Sequence, residues 1–109
     1  MVPSPFLHDP HVMVSLIPSV KPTINTQSSF FFGRPGSTVM LPCQASGRPR
    51  PQVSWVWQGR VLQGDDHYGV VYNGSLVVYS VNEGDGGEYK CIAQNTAGIA
   101  QITVNLVVG

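Results

Sequence analysis

Ser54, Asp66 and His67 carry the hydroxyl, carboxylate and imidazole of a hydrolytic triad, in which the ring takes the hydroxyl proton and the carboxylate orients the ring. No nucleophile-elbow motif surrounds Ser54 and no oxyanion-hole glycine motif accompanies it, so nothing in the sequence gathers the three into one site and no enzyme activity is expected. His8 and His11 flank Asp9-Pro10 and offer two imidazoles to a metal, but in a stretch broken by prolines a solvated linker is the plainer reading, and no cofactor is expected. Cys43 and Cys91 can pair as a disulfide, act as redox thiols or ligate a metal; they lack the close C-x-x-C spacing that metal and redox sites favour. Arg48, Arg50 and Arg60 form a candidate basic patch for heparan sulfate or an acidic partner, against the plainer reading of solvated loop arginines. Asn73-Gly74-Ser75 is an acceptor sequence for N-glycosylation with a permitted middle residue.

The chain that must position these groups has 109 residues, one domain's length with one core. Its hydrophobic fraction of 42% is too high for a disordered chain. Six Lys+Arg balance six Asp+Glu for a formal net charge of zero, so a nucleic-acid partner, which calls for a basic surplus, is not expected. Apolar runs such as Phe30–Phe32 and Leu76–Tyr79 are too short to span a bilayer, and direct membrane insertion is not expected. Residues 1–22 lack an early Lys or Arg and are broken by Pro3, Pro5, Pro10, Pro18 and Pro22. They read as a mostly extended linker or expression remnant without a secretory signal, ahead of a domain over 23–109. Val12, Val14 and Leu16 offer one extra edge strand there.

From Gly36 onward the apolar period is two. Val39, Leu41, Cys43 and Ala45 alternate with polar or outward residues, as do Val53 and Trp55, and then Ala100, Ile102, Val104, Leu106 and Val108. Gln58-Gly59 and Asn73-Gly74 mark tight turns. Short alternating strands with frequent turns predict a β-sandwich or a barrel.

Particular stretches choose between these. They are Leu41-Pro42-Cys43-Gln44-Ala45-Ser46-Gly47, Pro49 and Pro51 before Val53-Ser54-Trp55, Gly74-Ser75-Leu76, Asp85-Gly86-Gly87-Glu88-Tyr89-Lys90-Cys91, and Ala93-Gln94-Asn95-Thr96-Ala97-Gly98. Together they resemble the intermediate (I-set) type of the immunoglobulin superfamily over about residues 23–109. The resemblance implies an all-β Greek-key sandwich of two antiparallel sheets, joined by one inter-sheet Cys43–Cys91 disulfide that stabilises by about 4 kcal/mol. It further implies Trp55 packed on that bond, Leu41 and Leu76 in the core, and a Tyr89 hydroxyl bonded to backbone near Glu83–Asp85. The short Cys–Cys separation leaves no room for the extra C″ strand of a variable domain. The resemblance also implies a basic partner for Asp85 from the segment before the strand near Tyr68; here Asp65-Asp66-His67-Tyr68 offers only His67. Pro42 removes a ladder donor inside the strand expected around Val39–Ala45.

By the same resemblance the chain is expected to be a recognition or adhesion module of a larger extracellular or cell-surface protein. Its partner is then another protein, a second copy included, with heparan sulfate the weaker candidate. The paired cysteines and the Asn73 sequon agree with an oxidising compartment. The alternative is a spacer or docking module of an intracellular muscle or cytoskeletal scaffold with reduced cysteines. Candidate contacts are the outward Val56 and Ile92, with Ser54, Lys90 and Gln101 around them, and the Arg48–Pro51 and Asn95–Gly98 loops, which include Arg50. Trp57 reads chiefly as a cap on the sandwich. Phe31 belongs to a run, Phe30–Phe32, of which at least one ring must face outward along an open edge.

Overall fold

The computed structural model describes residues 17–25, 28–71 and 73–109. Residues 1–16 of the linker expected over 1–22, with the Val12–Leu16 alternation and the His8/His11 pair, lie outside them. Among the described residues the strands are β1 (Val20–Asn25), β2 (Phe30–Gly33), β3 (Val39–Leu41), β4 (Gln44–Arg48), β5 (Gln52–Trp57), β6 (Arg60–Leu62), β7 (Tyr68–Val70), β8 (Leu76–Val78), β9 (Gly87–Asn95) and β10 (Gly98–Val108), with a 3-10 turn at Glu83–Asp85.

One layer is a five-stranded sheet in the order β2-β10-β9-β5-β6. The other consists of the pair β1-β4 and the three strands β3-β8-β7. β3 and β4 follow one strand path that is interrupted at Pro42-Cys43, where the proline has no N–H to give the ladder. Among the described residues antiparallel pairing holds for every pair but one: β2 runs parallel to β10, with Phe30 beside Asn105 and Gly33 beside Val108. The domain also starts earlier than the predicted residue 23. Val20, Lys21 and Pro22 belong to β1, and Pro22 is buried. An edge strand tolerates that proline because the β1–β4 ladder is already irregular between Val20 and Thr23.

Between the layers Leu41, Cys43, Trp55, Leu76, Val78, Tyr89, Cys91 and Val104 have no exposed surface. Cys43 and Cys91 form the inter-sheet disulfide, with their Cα atoms 6.5 Å apart. Trp55 stands directly opposite Cys91 in the β5–β9 register, and its Nε1–H donates to the Gly74 carbonyl at 2.8 Å. That buried donor is therefore satisfied by the β7–β8 turn. Gly74 has φ +93°, and a Cβ there would come within 2.9 Å of the Cys43 carbonyl oxygen. Turn, indole and disulfide thus form one tightly fitted unit. At the other end of β5, Gln58 (φ 50°) and Gly59 (φ 75°) both take left-handed backbone, as a two-residue hairpin turn requires.

Candidate functional site

The strands of the five-stranded sheet send alternate side chains to the core and to solvent, and register sets the outward ones in rows. One row reads Val61, Val56, Lys90, Thr103, the next Ser54, Ile92, Gln101, and the third Gln52, Gln94, Ile99. Val61, Val56, Ile92 and Ile99 therefore make an apolar diagonal from β6 to β10, bordered by amides, hydroxyls and the Lys90 ammonium. Val61 is 60% and Ile99 61% exposed. Apolar surface rimmed by polar groups is the composition of a protein-binding face, since each Å² removed from water is worth roughly 25 cal/mol. Val56 and Ile92 were legible from strand parity. Val61 and Ile99 were missed, because their place beside those two appears only once register is known.

Other predicted contacts fall elsewhere. Phe31 is turned inward against the core, while Phe30 (57% exposed) and Phe32 (78%) face out. The surface candidate in this run therefore moves by one residue either way, because the β2–β10 pairing sets the parity. Trp57 stacks on Tyr89, ring centroids 5.8 Å apart and 18° between planes, and packs against the core. It caps the sandwich and stays off the apolar diagonal, though it also lines a groove of about 450 Å³ beside Lys90 and Thr103. The three-arginine patch does not assemble. Arg48 pairs with Val20 at the end where β5 begins, whereas Arg60 pairs with Trp57 where β5 finishes, roughly 16 Å along the strand at about 3.3 Å per residue.

Nor do Ser54 and His67 meet. Ser54 lies on the outer face of β5 opposite Ile92, while the His67 Nε2 contacts Asp85 Oδ1 at 2.7 Å beside β7. His67 is thus the partner of the buried Asp85. The second carboxylate oxygen accepts the Asn82 N–H at 2.8 Å, and the Asp85 carbonyl accepts the Tyr89 hydroxyl at 2.6 Å. Burial first, and then the neighbouring Tyr68 hydroxyl, push the Tyr89 phenol far above its usual range. Asp65 Oδ1 accepts the N–H groups of His67 and Tyr68, both at 2.8 Å. Those two amides, Tyr68 first, hold its carboxyl below the ordinary aspartate value. Asp85 thus ties His67, Asn82 and Tyr89 around the turn between β8 and β9, while Asp65 fixes the turn between β6 and β7.

Asn95, placed by sequence in a contact loop, is instead a four-way tie. Its Nδ2 donates to the carbonyls of Val20 at 2.8 Å and Pro49 at 2.9 Å. Its Oδ1 accepts the N–H groups of Ala97 at 2.8 Å and Gly98 at 3.1 Å. One side chain so holds the β9–β10 turn, the start of β1 and the loop before β5 together.

Against known proteins, residues 22–108 match the family described as the Immunoglobulin I-set domain. The chain is 40% identical over 80 residues to cell adhesion molecule Dscam1 of Drosophila melanogaster, covering 66% of this chain and 4% of that protein. It is 40% identical over 77 residues to smooth-muscle myosin light chain kinase of Gallus gallus, covering 67% of this chain and 4% of that protein. Among solved structures, neural ectodermal development factor IMP-L2 matches with a TM-score of 0.81 at 27% identity, over 84% of this chain and 45% of that one. The chain spans only a small part of the length of the curated relatives it matches.

Proposed function

The chain belongs to the immunoglobulin I-set family, and from that premise we propose that it is a non-catalytic recognition module of a larger extracellular or cell-surface protein. It binds another protein through the outer face of its five-stranded sheet. The observation that carries this reading is the apolar diagonal Val61–Val56–Ile92–Ile99, exposed at its two ends and half-buried at Val56 and Ile92, on a face backed by the disulfide and the Trp55 core. A preorganised surface loses little entropy on binding, so modest apolar contacts suffice for specific association. The similarity to an adhesion molecule supports the same reading. With formal charge balanced at zero and the arginines divided between two ends, nucleic acid and heparan sulfate are the weaker partners.

A second reading, an intracellular spacer or docking module, is favoured by the similarity to the muscle kinase. Free-thiol titration of protein from its native source separates the two. Unreactive Cys43 and Cys91 support the extracellular module, and two reactive thiols support the intracellular one. The face is tested with a photo-reactive amino acid placed at Val61, at Ile99 or, as control, at the exposed Met40 of the opposite layer. On source cells, crosslinks to one protein from Val61 and Ile99 and not from Met40 are expected. Crosslinks from Met40 alone refute the assigned face.

A further inference from the structure

We propose that Asn73 carries an N-linked glycan and that its first sugars lie in the groove of which Asn73 itself forms a wall. The proposal rests on the extracellular reading above, because this modification belongs to the secretory route. Asn73 is exposed at the tip of the β7–β8 turn, where its Oδ1 accepts the Ser75 N–H at 3.0 Å and the Gly74 N–H donates to the Val71 carbonyl at 2.8 Å. The adjoining groove encloses about 560 Å³. Its walls include Val53, Val70 and Val71, with Gln44, Gln52 and Arg50 also lining it. Val70 is left 40% exposed there. An N-acetylglucosamine presents C–H faces and an acetyl methyl to such valines, and hydroxyls to such amides and to a guanidinium. A free sugar would bind a shallow groove of this kind weakly. A sugar bonded to the groove wall has already met the cost of association, so weak packing is enough to seat it.

The attachment needs one co-reactant, a lipid-pyrophosphate-linked oligosaccharide. The Asn73 Nδ2 attacks the anomeric carbon of its first N-acetylglucosamine and a C–N bond forms. The C–O bond to pyrophosphate breaks and its electron pair leaves with the lipid pyrophosphate. One amide proton passes to base, and nothing is oxidised or reduced. Ser75 is only 3% exposed in the folded domain. The acceptor sequence is therefore presented to the transferase before the β7–β8 hairpin closes, and the sugars settle into the groove as it does.

The test compares the chain secreted from a eukaryotic cell line behind a cleavable secretion leader with the same sequence made in bacteria and oxidised, and uses Asn73→Gln as the secreted mass control. The secreted chain is expected to carry a hexosamine-containing mass increment that Asn73→Gln lacks. Its Val53, Val70 and Val71 amides are expected to exchange with solvent about threefold or more slowly than in the bacterial protein. The Arg60–Leu62 amides at the other end of the sandwich should exchange equally in both. A secreted, disulfide-bonded chain without the increment overturns the modification and leaves the recognition reading standing. An increment with unchanged exchange at the three valines overturns the seating of the sugars. Two reactive thiols at Cys43 and Cys91 in protein from its native source remove the extracellular premise and the proposal with it.

Discussion

Replacing Asn95 with Ala removes four hydrogen bonds at once, two donated to carbonyls of distant segments and two accepted from the β9–β10 turn. A well-sheltered bond of this kind contributes about 1 kcal/mol net, and these lie near the surface, where water replaces part of each. About 0.5 kcal/mol apiece is therefore reasonable, or about 2 kcal/mol in all. For a domain of this size that lowers Tm by roughly 10 °C. Urea unfolding at 25 °C should show the loss as a lower midpoint with an unchanged slope. Asn95→Asp separates the two halves of the tie. It keeps the acceptor for Ala97 and Gly98 but turns an oxygen toward the Val20 and Pro49 carbonyls. Amide exchange at Ala97 and Gly98 should therefore accelerate in the Ala variant and stay slow in the Asp variant, while both lose stability. A loss below about 0.5 kcal/mol for Asn95→Ala would mean that water substitutes for all four bonds without penalty, and the reasoning fails.

Trp55→Phe keeps most of the buried ring but leaves the Gly74 carbonyl without its 2.8 Å donor, so chemical denaturation should register a loss of about 2–3 kcal/mol. Gly74→Ala forces a Cβ within 2.9 Å of the Cys43 carbonyl at φ +93°. It should cost more than the roughly 1 kcal/mol of an ordinary glycine substitution, read as a drop in Tm with the disulfide intact by mass. The lowered Asp65 value means that folding favours its ionised form. Its contribution is present above the unfolded aspartate pKa and is lost as pH falls through the lower folded value. Asp65→Asn should flatten that part of the acid limb of a stability–pH profile, and an acid limb of unchanged slope would count against it.

Local alternation made the core legible. Cys43, Trp55, Tyr89 and Cys91 each sit at inward parity on a strand whose period can be read from its neighbours, and the Gln58-Gly59 and Asn73-Gly74 turns announce themselves by residue type. Pairing between strands was not legible, because register is a property of two segments and no single segment encodes it. That is why the sequence alone does not say which rings of Phe30–Phe32 face outward, why it does not point to Val61 and Ile99, and why it groups Arg60 with arginines that lie at the opposite end. Asn95 was hidden for a related reason. Its two acceptors lie 75 and 46 residues away in sequence, so an ordinary loop asparagine is all that the chain displays. His67 stood between these cases: the corner chemistry named it, but only the fold brought it across 18 residues to Asp85.

The parallel β2–β10 pair has a mechanical consequence. The first strand begins at Val20, beside Arg48 and Asn95, and the last ends at Val108, beside Gly33, at the opposite end of the molecule. Pulling on those two points slides β2 and β10 along each other, so the ladder that includes Asn105 N–H to Ser29 and Gly109 N–H to Gly33 is loaded in shear. The bonds must yield together and cannot unzip one after another. Built into a string of such units between two anchored surfaces, this link resists tension along the string far better than a peeling force applied to one edge.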